Sequence, residues 1–354
     1  MPFFYDFDKL SSASESVAAS FNAKRTATNL LELRQQLDNE VPRRSIFETL
    51  LLATWNIQAF GASSRTGESL WYIAEILSRF DLIAVQEVKR DLGELDRVCK
   101  LLGPWLRYLV TDSSEGDGGN DERLAFLFDT RKVRFGGMAG KIVLPPVKDK
   151  NGKVVKPDQL FRTPYIAGSK AGWFDFMLST VHIKFGKNKR ADPGRLTEIQ
   201  QVAKFLAKRA TQTGTWSRNM ILLGDFNIFD AQSPTFKALM DAGFNIPDEI
   251  QSLPVTNVGS KPRIYDQIAF LLGDQQNIVP LRAGVLDFFE TIYSDAKFTT
   301  YEPGLVKADG SKPGNAKSYY RNHWRRRQMS DHLLMWVELP IEFAEPYLST
   351  KAGG

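Results

Sequence analysis

Short, strongly apolar segments recur along this chain and constrain its fold more than any other feature. Seven of them, each six to ten residues long, are separated by amphipathic stretches or polar loops. Several are apolar at successive positions, as β-strands are when both faces of their sheet are covered. The predicted strands are LLLATWNI (50–57), LIAVQEV (82–88), LAFLFD (124–129), FDFMLSTVHI (174–183), NMILLGDFNI (219–228), DQIAFLL (266–272) and HLLMWVEL (332–339).

Four segments between these strands carry the apolar spacing of amphipathic helices. They are GESLWYIAEILSRF (67–80), LGELDRVCKLLG (92–103), GRLTEIQQVAKFLAKRA (194–210) and SPTFKALMDAG (233–243). In the last, Ser233 suits the N-cap and Pro234 the first helical position. Two stretches, the lysine- and proline-rich LPPVKDKNGKVVKPDQ and DGSKPGNAKSYYRNHWRRRQ, are interpreted as loops. The pattern predicts one α/β domain with two layers of strands.

The N-terminal part follows a different pattern. A helical spacing runs from about Ser14 to Asn39, through Val17 and Phe21, and Pro42 ends it. We therefore predict a helical extension over residues 1–47, a main domain over 48–345 and a C-terminal tail over 346–354.

Composition narrows the class of protein. Of the 354 residues, 43% are hydrophobic and 25% are charged, which is ordinary for a soluble globular chain. The 46 basic residues exceed the 41 acidic ones by five, a balance that permits a polyanionic partner without requiring one. The only cysteine, Cys99, excludes an internal disulfide and favours a reducing compartment. With no signal-peptide pattern and no apolar run of membrane-spanning length, we expect a cytoplasmic protein without a membrane partner.

Polar residues that could support catalysis stand where the predicted strands end or begin. In the segment LGDFNI, Asp225 and Asn227 are two residues apart, so both face the same side of an extended chain. By themselves they could form only an Asp/Asn turn. The other strand-end residues are Asn56, Glu87, His182, Asp266, Asp331 and His332, which include two of the three histidines.

The mixture of residue types in this set indicates a particular chemistry. Carboxylate and amide oxygens suit a hard cation such as Mg²⁺, whereas the sequence has no Cys/His spacing typical of zinc. Imidazoles transfer protons near neutral pH, and a carboxylate on the far ring nitrogen fixes the tautomer. Phosphodiester hydrolysis needs both functions.

The order of the motifs resembles that of the endonuclease/exonuclease/phosphatase superfamily. WNIQAFG, QEV, STVH, GDFN and SDH follow one another between about residues 50 and 340, and NIQAFG and QEVKRDL are most similar to the deoxyribonuclease I branch. The resemblance implies a four-layered αββα sandwich of two mixed β-sheets flanked by helices. It also implies a divalent-metal-dependent enzyme that hydrolyses phosphodiesters.

The resemblance also implies a role for individual residues. Glu87 would be the principal ligand of Mg²⁺, or of Mn²⁺ as a substitute, together with Asn56 and Asp331. His182 would be paired with Glu122 and His332 with Asp266, one pair serving as acid and the other as base in an order left open. Asp225 would position the attacking water or polarise a neighbouring group, and Asn227 would contact the phosphate. The implied substrate contacts are Arg162, on the scissile phosphate, and Lys89, on the nucleic-acid backbone.

A basic run before the SDH motif extends this substrate surface. In NHWRRRQ, Trp324, Arg325, Arg326 and Arg327 suit phosphate and base contacts, although such a run could also be only a solvated face. We therefore predict an endonuclease with little sequence preference. DNA is the favoured substrate, and RNA is the other candidate. The alternatives are a phosphodiesterase for small molecules or lipid headgroups, similar to sphingomyelinases, and an inactive nucleic-acid-binding module. Oligomeric state is left open.

Overall fold

A computed structural model of the chain describes residues 22–62, 65–114, 119–273 and 278–352. Residues 1–21 fall outside these ranges, and with them the part of the predicted N-terminal helix that contains Ser14, Val17 and Phe21. Within the described residues a helix, α1, covers Ala23–Glu40.

Thirteen strands within the described ranges form two large sheets and a small ribbon. The six-stranded sheet has the order β12-β13-β1-β2-β4-β3, the five-stranded sheet β11-β10-β9-β8-β5, and β6 pairs with β7. Parallel pairs (β1 with β2, β9 with β10) occur among antiparallel ones, so both sheets are mixed. The strands are β1 (Thr49–Phe60), β2 (Leu82–Val88), β3 (Leu106–Val110), β4 (Arg123–Asp129), β5 (Val133–Lys141), β6 (Val147–Lys148), β7 (Val154–Val155), β8 (Tyr165–Ala171), β9 (Phe174–His182), β10 (Met220–Asp225), β11 (Asp266–Leu271), β12 (Arg282–Leu286) and β13 (Leu334–Pro340).

Alternate side chains of the central strands enter different cores, which makes the molecule four-layered. On β1, Leu50 and Leu52 pack in the core that contains the five-stranded sheet, whereas Leu51, Ala53 and Trp55 pack against helices on the opposite face. Successive residues of a strand point to opposite faces of its sheet, so a continuously apolar strand supplies both cores at once. The four-layered αββα arrangement expected from the resemblance is confirmed.

The main helices lie on the two outer faces. Helices α2 (Gly67–Leu77) and α3 (Gly93–Leu102) belong to the core outside the six-stranded sheet, and α4 (Pro193–Ala210) and α5 (Pro234–Asp241) to the core of the five-stranded sheet. The Ser233 hydroxyl accepts from the Phe236 N–H and Pro234 is the first helical residue of α5, as predicted. Shorter helices are α6 (Asp248–Gln251), α7 (Phe298–Tyr301), α8 (Ala316–Tyr319), α9 (Arg325–Gln328) and α10 (Ala344–Lys351).

Helix α1 packs on α2 through a buried polar contact. The Arg25 guanidinium donates to both carboxylate oxygens of Glu68 at 3.0 Å, and the buried Asn29 amide donates to the Tyr72 hydroxyl at 2.8 Å. Burial raises the pKa of Glu68, an effect that the Arg25 contact opposes. The α1 helix is thereby joined to the outer layer of the main domain. The domain boundaries at residues 47 and 345 remain a prediction.

All seven predicted strands and all four predicted helices are present, and the differences lie at the sheet edges and in the loops. Strands β3, β5, β8 and β12 were not predicted. Both stretches interpreted as loops contain regular structure: the first forms the β6–β7 hairpin, and the second is helical from Ala316 to Gln328. In that segment Tyr320 and Trp324 stack at 5.6 Å, a side-chain pair four residues apart that favours a helix despite the charged neighbours.

Two other observations bear on the expectations from composition. Burial raises the pKa of the Cys99 thiol, on α3, to about 12, so this cysteine is a packing residue. Of the helices in the described ranges, none has both the length and the apolar composition required to cross a membrane.

Candidate active site

The ends of β9, β10 and β11 bring three of the predicted site residues side by side. Asp225, the last residue of β10, is in register with His182 on parallel β9 and with Asp266 on antiparallel β11. His332, directly before β13, completes this group, with its Nδ1 lying 2.8 Å from Asp266 Oδ2. Residues more than a hundred positions apart in sequence therefore meet at one edge of the sandwich.

Asn56 and Glu87 form the acidic corner of the site. The Asn56 amide nitrogen donates to Glu87 Oε1 and to Asp225 Oδ2, both at 3.1 Å. Because carboxylates only accept, this pattern fixes which end of the Asn56 amide faces them. The Ala59 N–H donates to Glu87 Oε2 at 2.9 Å. Burial would raise the pKa of Glu87, but the His182 charge and this hydrogen bond outweigh burial and lower it.

Two features of this corner fit a bound cation. The Asn56 amide oxygen is buried, and no protein group within the described ranges donates to it. Buried acceptors are normally paired, so an unpaired one beside an ionised carboxylate fits a cation with oxygen ligands. In addition, Glu87 has a φ of +61°, a conformation that non-glycine residues rarely adopt and that occurs preferentially at functional sites. Glu87 and Asn56 therefore fit the divalent cation that the sequence predicted.

Asp331 lies near this corner. Burial and the Glu87 charge raise the pKa of its carboxyl group, against the opposing charges of His332 and Arg326. Two ionised carboxylates in one partly buried site repel each other unless a cation lies between them. Asp331 is thus electrostatically coupled to Glu87, as a shared metal site requires.

The first histidine pair, His182 with Glu122, is in contact with two basic residues. His182 Nδ1 lies 2.9 Å from Glu122 Oε2, on a carboxylate that also faces Arg162 Nε at 2.5 Å and accepts from Lys89 Nζ at 3.1 Å. Burial would raise the pKa of Glu122, but the contacts with His182 and the two cations lower it to about 2. Glu122 is therefore ionised throughout the neutral range. Lys89 and Arg162, both predicted substrate contacts, lie within the same ionic cluster.

The second histidine pair, His332 with Asp266, has the more deeply buried carboxylate. Burial by itself would lower the pKa of His332, yet the charges of Asp266 and Asp225 and the hydrogen bond to Asp266 raise it well above the ordinary value. The Asp266 backbone N–H donates to Thr256 Oγ1 at 3.1 Å, which fixes this residue at the start of β11. The charges of Asp266 and Asp225 and the hydrogen bond to Asp266 therefore favour the imidazolium form of His332.

Asp225 lies between the two imidazoles. Its Oδ2 atom is 3.5 Å from His182 Nε2 and 3.7 Å from His332 Nε2, and its Oδ1 accepts from the Asn227 N–H at 2.8 Å. The Asn227 amide donates to the Ile183 carbonyl at 2.7 Å. Burial raises the pKa of Asp225, and the two histidines oppose that rise. Both imidazoles thus direct their Nε2 atoms toward one carboxylate oxygen.

The predicted basic run does not act as one surface. Trp324 packs against the rings of Tyr293, Tyr301 and Tyr320 at centroid distances of 5.1 to 5.6 Å. Arg325 is stacked over Phe289 at 4.6 Å and faces Asp295. Arg327 is exposed. The Nε atoms of Arg325 and Arg326 are both buried without a hydrogen-bond partner in the described part of the chain. Arg326 differs from the rest of the run because its charge lowers the pKa of Asp331. Of the run, Arg326 is therefore the residue that is electrostatically coupled to Asp331.

Several residues that sequence reasoning missed hold the site together. The Ser330 hydroxyl donates to the Asn56 carbonyl at 2.5 Å and accepts from the N–H groups of Gln58 and His332 at 3.2 and 3.0 Å. Ser330 precedes Asp331 in the SDH motif. Its position between two chain segments could be recognised only after folding.

Two further missed residues are polar and buried in the strands or loops beneath the site. The Gln86 amide on β2 donates to Thr54 at 3.1 Å and to Thr180 on β9 at 2.8 Å, so it connects the two sheets. The buried Arg65 donates to Glu94 at 2.7 Å and to the backbone carbonyls of Gln58 and Ala59, at the end of β1. A buried glutamine in an apolar strand is the one sequence signal that could have indicated such a bridge.

Comparison with solved structures supports the fold. A protein of the endonuclease/exonuclease/phosphatase family from Bacteroides thetaiotaomicron has a TM-score of 0.53 and 18% identity, covering 83% of this chain and 98% of its own. The mannosyl-6-phosphatase Bt3783 of B. thetaiotaomicron VPI-5482 has a TM-score of 0.52 and 18% identity, covering 82% and 99%. A conserved protein of unknown function from Enterococcus faecalis V583 has a TM-score of 0.51 and 16% identity, covering 82% and 99%. Identities this low establish the fold alone.

Sequence comparison leads to the same family. No curated protein matches the chain. The model of the Endonuclease/Exonuclease/phosphatase family, whose members hydrolyse phosphoester bonds, matches residues 53–334. This range includes Asn56, Glu87, both histidine pairs and Asp225. The chain therefore belongs to the endonuclease/exonuclease/phosphatase family.

Proposed function

We propose that this protein is a divalent-metal-dependent phosphodiesterase, and that its substrate is a nucleic acid, in the first instance DNA. The observation that carries the proposal is the pair of imidazoles whose Nε2 atoms lie 3.5 and 3.7 Å from the same Asp225 oxygen, each with a carboxylate at its other nitrogen. Two oriented proton-transferring groups around one carboxylate suit hydrolysis by water. A binding module without activity has no need for this arrangement.

The residues divide the chemistry between them. Glu87 and Asn56, with Asp331, would hold the cation, which when bound supplies positive charge to a phosphate oxygen. Asp225 orients the attacking water by accepting a hydrogen bond from it. One of the two histidines takes the proton of that water, and the other, as an imidazolium, gives a proton to the leaving oxygen. Asn227 retains one amide hydrogen for the phosphate, since the other is donated to Ile183.

The other histidine pair contributes to the opposite side of the site. Glu122 orients the His182 ring through Nδ1, which leaves Nε2 to face Asp225 and the substrate. Arg162 and Lys89 balance the Glu122 charge, and Arg162 approaches the scissile phosphate beside it. Arg326 provides a second guanidinium near the Asp331 carboxylate.

One observation favours a small phosphoester as the alternative substrate. Trp324 and Arg325, two of the residues expected to contact a polynucleotide, pack into the helical layer instead. Fewer rim contacts would suffice for a small diester or a lipid headgroup.

The deciding experiment offers purified protein four substrates, each with Mg²⁺, with Mn²⁺ and with EDTA. The substrates are supercoiled plasmid, single-stranded oligonucleotide, RNA and bis(p-nitrophenyl) phosphate. We expect cleavage of at least one polynucleotide that EDTA abolishes and Mg²⁺ restores, and we expect Glu87→Gln to lose that activity while remaining folded. Hydrolysis that persists after exhaustive chelation would exclude the proposed metal site. Turnover of the small diester without any polynucleotide cleavage would favour the alternative.

A further inference from the structure

The β6–β7 hairpin emerges from the active-site end of the five-stranded sheet. It is inserted between β5 and β8, where Lys141 pairs with Tyr165 and Tyr165 pairs with Thr180 of β9. Thr180 stands two residues before His182. The segment that connects β5 to β8, which includes the hairpin, therefore begins and ends at the edge of the sheet that carries His182.

The base of the hairpin is fixed to the catalytic cluster. The Leu144 N–H donates to the Gln159 side chain at 2.9 Å, and the Gln159 amide donates back to the Leu144 carbonyl at 3.2 Å. Leu144 and Leu160 are buried in the core. Three residues after Gln159, Arg162 faces Glu122 at 2.5 Å. The hairpin is thus anchored next to the residue proposed to approach the scissile phosphate.

The exposed part of the hairpin carries a concentrated positive charge. Between residues 147 and 156 there are four lysines and a single acid, Asp149. The Asp149 carboxylate accepts from the N–H groups of Asn151 and Lys153, both at 2.9 Å, and so shapes the turn. All four lysines are exposed, and none has a carboxylate within ion-pair distance in the described ranges. They are Lys148, Lys150, Lys153 and Lys156.

Four other lysines of the described chain are neutralised where they lie. Lys89, Lys132, Lys170 and Lys297 each face a carboxylate at 2.5 to 3.1 Å. Unpaired charge on a projecting element is available to a polyanion, whereas paired charge is not. The seven residues from the Leu144 base to the turn extend about 20 Å at 3.3 Å per residue. Duplex phosphates repeat every 3.4 Å along each strand, so this length passes several of them.

We infer that the β6–β7 hairpin is an arm that grips the sugar-phosphate backbone of a polynucleotide beyond the scissile phosphate. The inference rests on the proposed nuclease function and adds to it a second contact region, distinct from the residues at 324–327. An anionic membrane is the competing partner, because Val147 and Val154 are 54% and 62% exposed. The turn itself, however, is Asp-Lys-Asn-Gly, and a charged tip does not enter hydrocarbon.

The test replaces the four hairpin lysines with glutamine. Binding of a fluorescein-labelled duplex is measured by anisotropy, without metal, over a range of salt concentrations. Each lost phosphate contact flattens the plot of log K against log salt by about 0.9 on duplex DNA, so we expect a reduction of about 2 to 4. The ratio of polynucleotide to small-diester turnover should fall with it. The matched control replaces four exposed helical lysines, Lys100, Lys204, Lys237 and Lys317, with the same change in net charge.

The outcomes separate the inference from the function on which it rests. A slope reduced in the hairpin variant and unchanged in the control supports the arm. If the wild type cleaves polynucleotides and the hairpin variant keeps the wild-type slope, the arm is refuted and the nuclease stands. Loss of binding to phosphatidylserine vesicles in the hairpin variant, with DNA binding intact, would assign the arm to membranes. If the wild type neither binds nor cleaves any polynucleotide, the nuclease proposal itself fails.

Discussion

Arg65 has no proposed contact with the substrate, yet we expect its replacement to damage the site severely. Its side chain is fully buried and donates to Glu94 at 2.7 Å. It also donates to the carbonyls of Gln58, Ala59 and Met329, the last two at 3.4 and 3.3 Å. These carbonyls belong to the two segments that carry Asn56 and Asp331. Arg65 therefore connects the two parts of the proposed metal site, and we consider the substitution Arg65→Met.

The magnitude follows from what the substitution leaves behind. Methionine fills much of the volume but donates nothing, so the Glu94 carboxylate and the backbone carbonyls lose the guanidinium donor, while the Gly61 N–H still donates to Glu94 at 2.8 Å. Removing one partner of a buried ion pair costs about 3–5 kcal/mol. The Glu94 side chain retains 13% exposure, which lets water reach it, so we expect the lower end, about 3 kcal/mol. The double variant Arg65→Met/Glu94→Gln should lose less than the sum of the single changes, because no unpaired charge remains.

Urea denaturation at pH 7 measures this effect, and Arg282→Met is the matched control. Arg282 also pairs with a glutamate, Glu338, at 3.0 Å, but its side chain is 65% exposed, so its loss should cost less than about 1 kcal/mol. The same Arg65→Met protein should need several-fold more Mg²⁺ for half-maximal activity, because the Ala59 N–H that holds Glu87 is no longer fixed. Equal destabilisation by the two arginine variants, or an unchanged Mg²⁺ requirement in Arg65→Met, would refute the reasoning.

Three further changes test other parts of the structure. At Gly224, which has a φ of +129°, an added Cβ would lie 2.2 Å from the Val181 carbonyl oxygen, so Gly224→Ala should separate β9 from β10 and lower both activity and melting temperature. Burial would raise the pKa of Asp129, but hydrogen bonds from arginines outweigh burial and lower it. The additional stability of the wild type relative to Asp129→Asn should therefore be fully present above the unfolded-state pKa of about 3.9 and should decline below it. Urea midpoints of both proteins at several pH values would measure this difference. His332→Ala should slow the chemical step by about 10² to 10⁴ in single-turnover assays.

Two of these changes have a control in the same chain. Gly140 has open space around it, and Gly140→Ala should leave activity unchanged. His323, an exposed residue stacked on Tyr319, lies outside the motifs, and His323→Ala should be as active as the wild type. An inactive His323→Ala protein would show that the wrong histidines were chosen. A stability difference for Asp129→Asn that persists undiminished at pH 3 would contradict the proposed low pKa.

Local sequence was a good guide wherever a strand lies at the centre of a sheet. Segments such as 82–85 and 220–223 are apolar at every position because both of their faces are covered, and burial dominates the choice of residues. The edge strand β5 gave no such signal, since its sequence VRFGGMAGK contains three glycines. The packing of Trp216 explains the glycine at two adjacent sites in this part of the sheet. A Cβ on Gly136 of β5 or on Gly168 of β8 would overlap the Trp216 ring. Tertiary packing against Trp216 thus overrides the local preference.

The sequence by itself determined the types of residue at the strand ends and their order along the chain, and the family resemblance supplied the expected partners. Only the tertiary structure brings Glu122 to His182 and Asp266 to His332, because these pairs are separated by 60 and 66 positions and meet through sheet register. The tertiary structure also makes the side chains of residues 324–327 point in different directions, because successive residues of a helix are rotated by about 100°. Arg325 therefore faces Asp295 while Arg326 is coupled to Asp331. A charge run is continuous in sequence, but a helix distributes it around its axis, and packing decides which charge reaches the site.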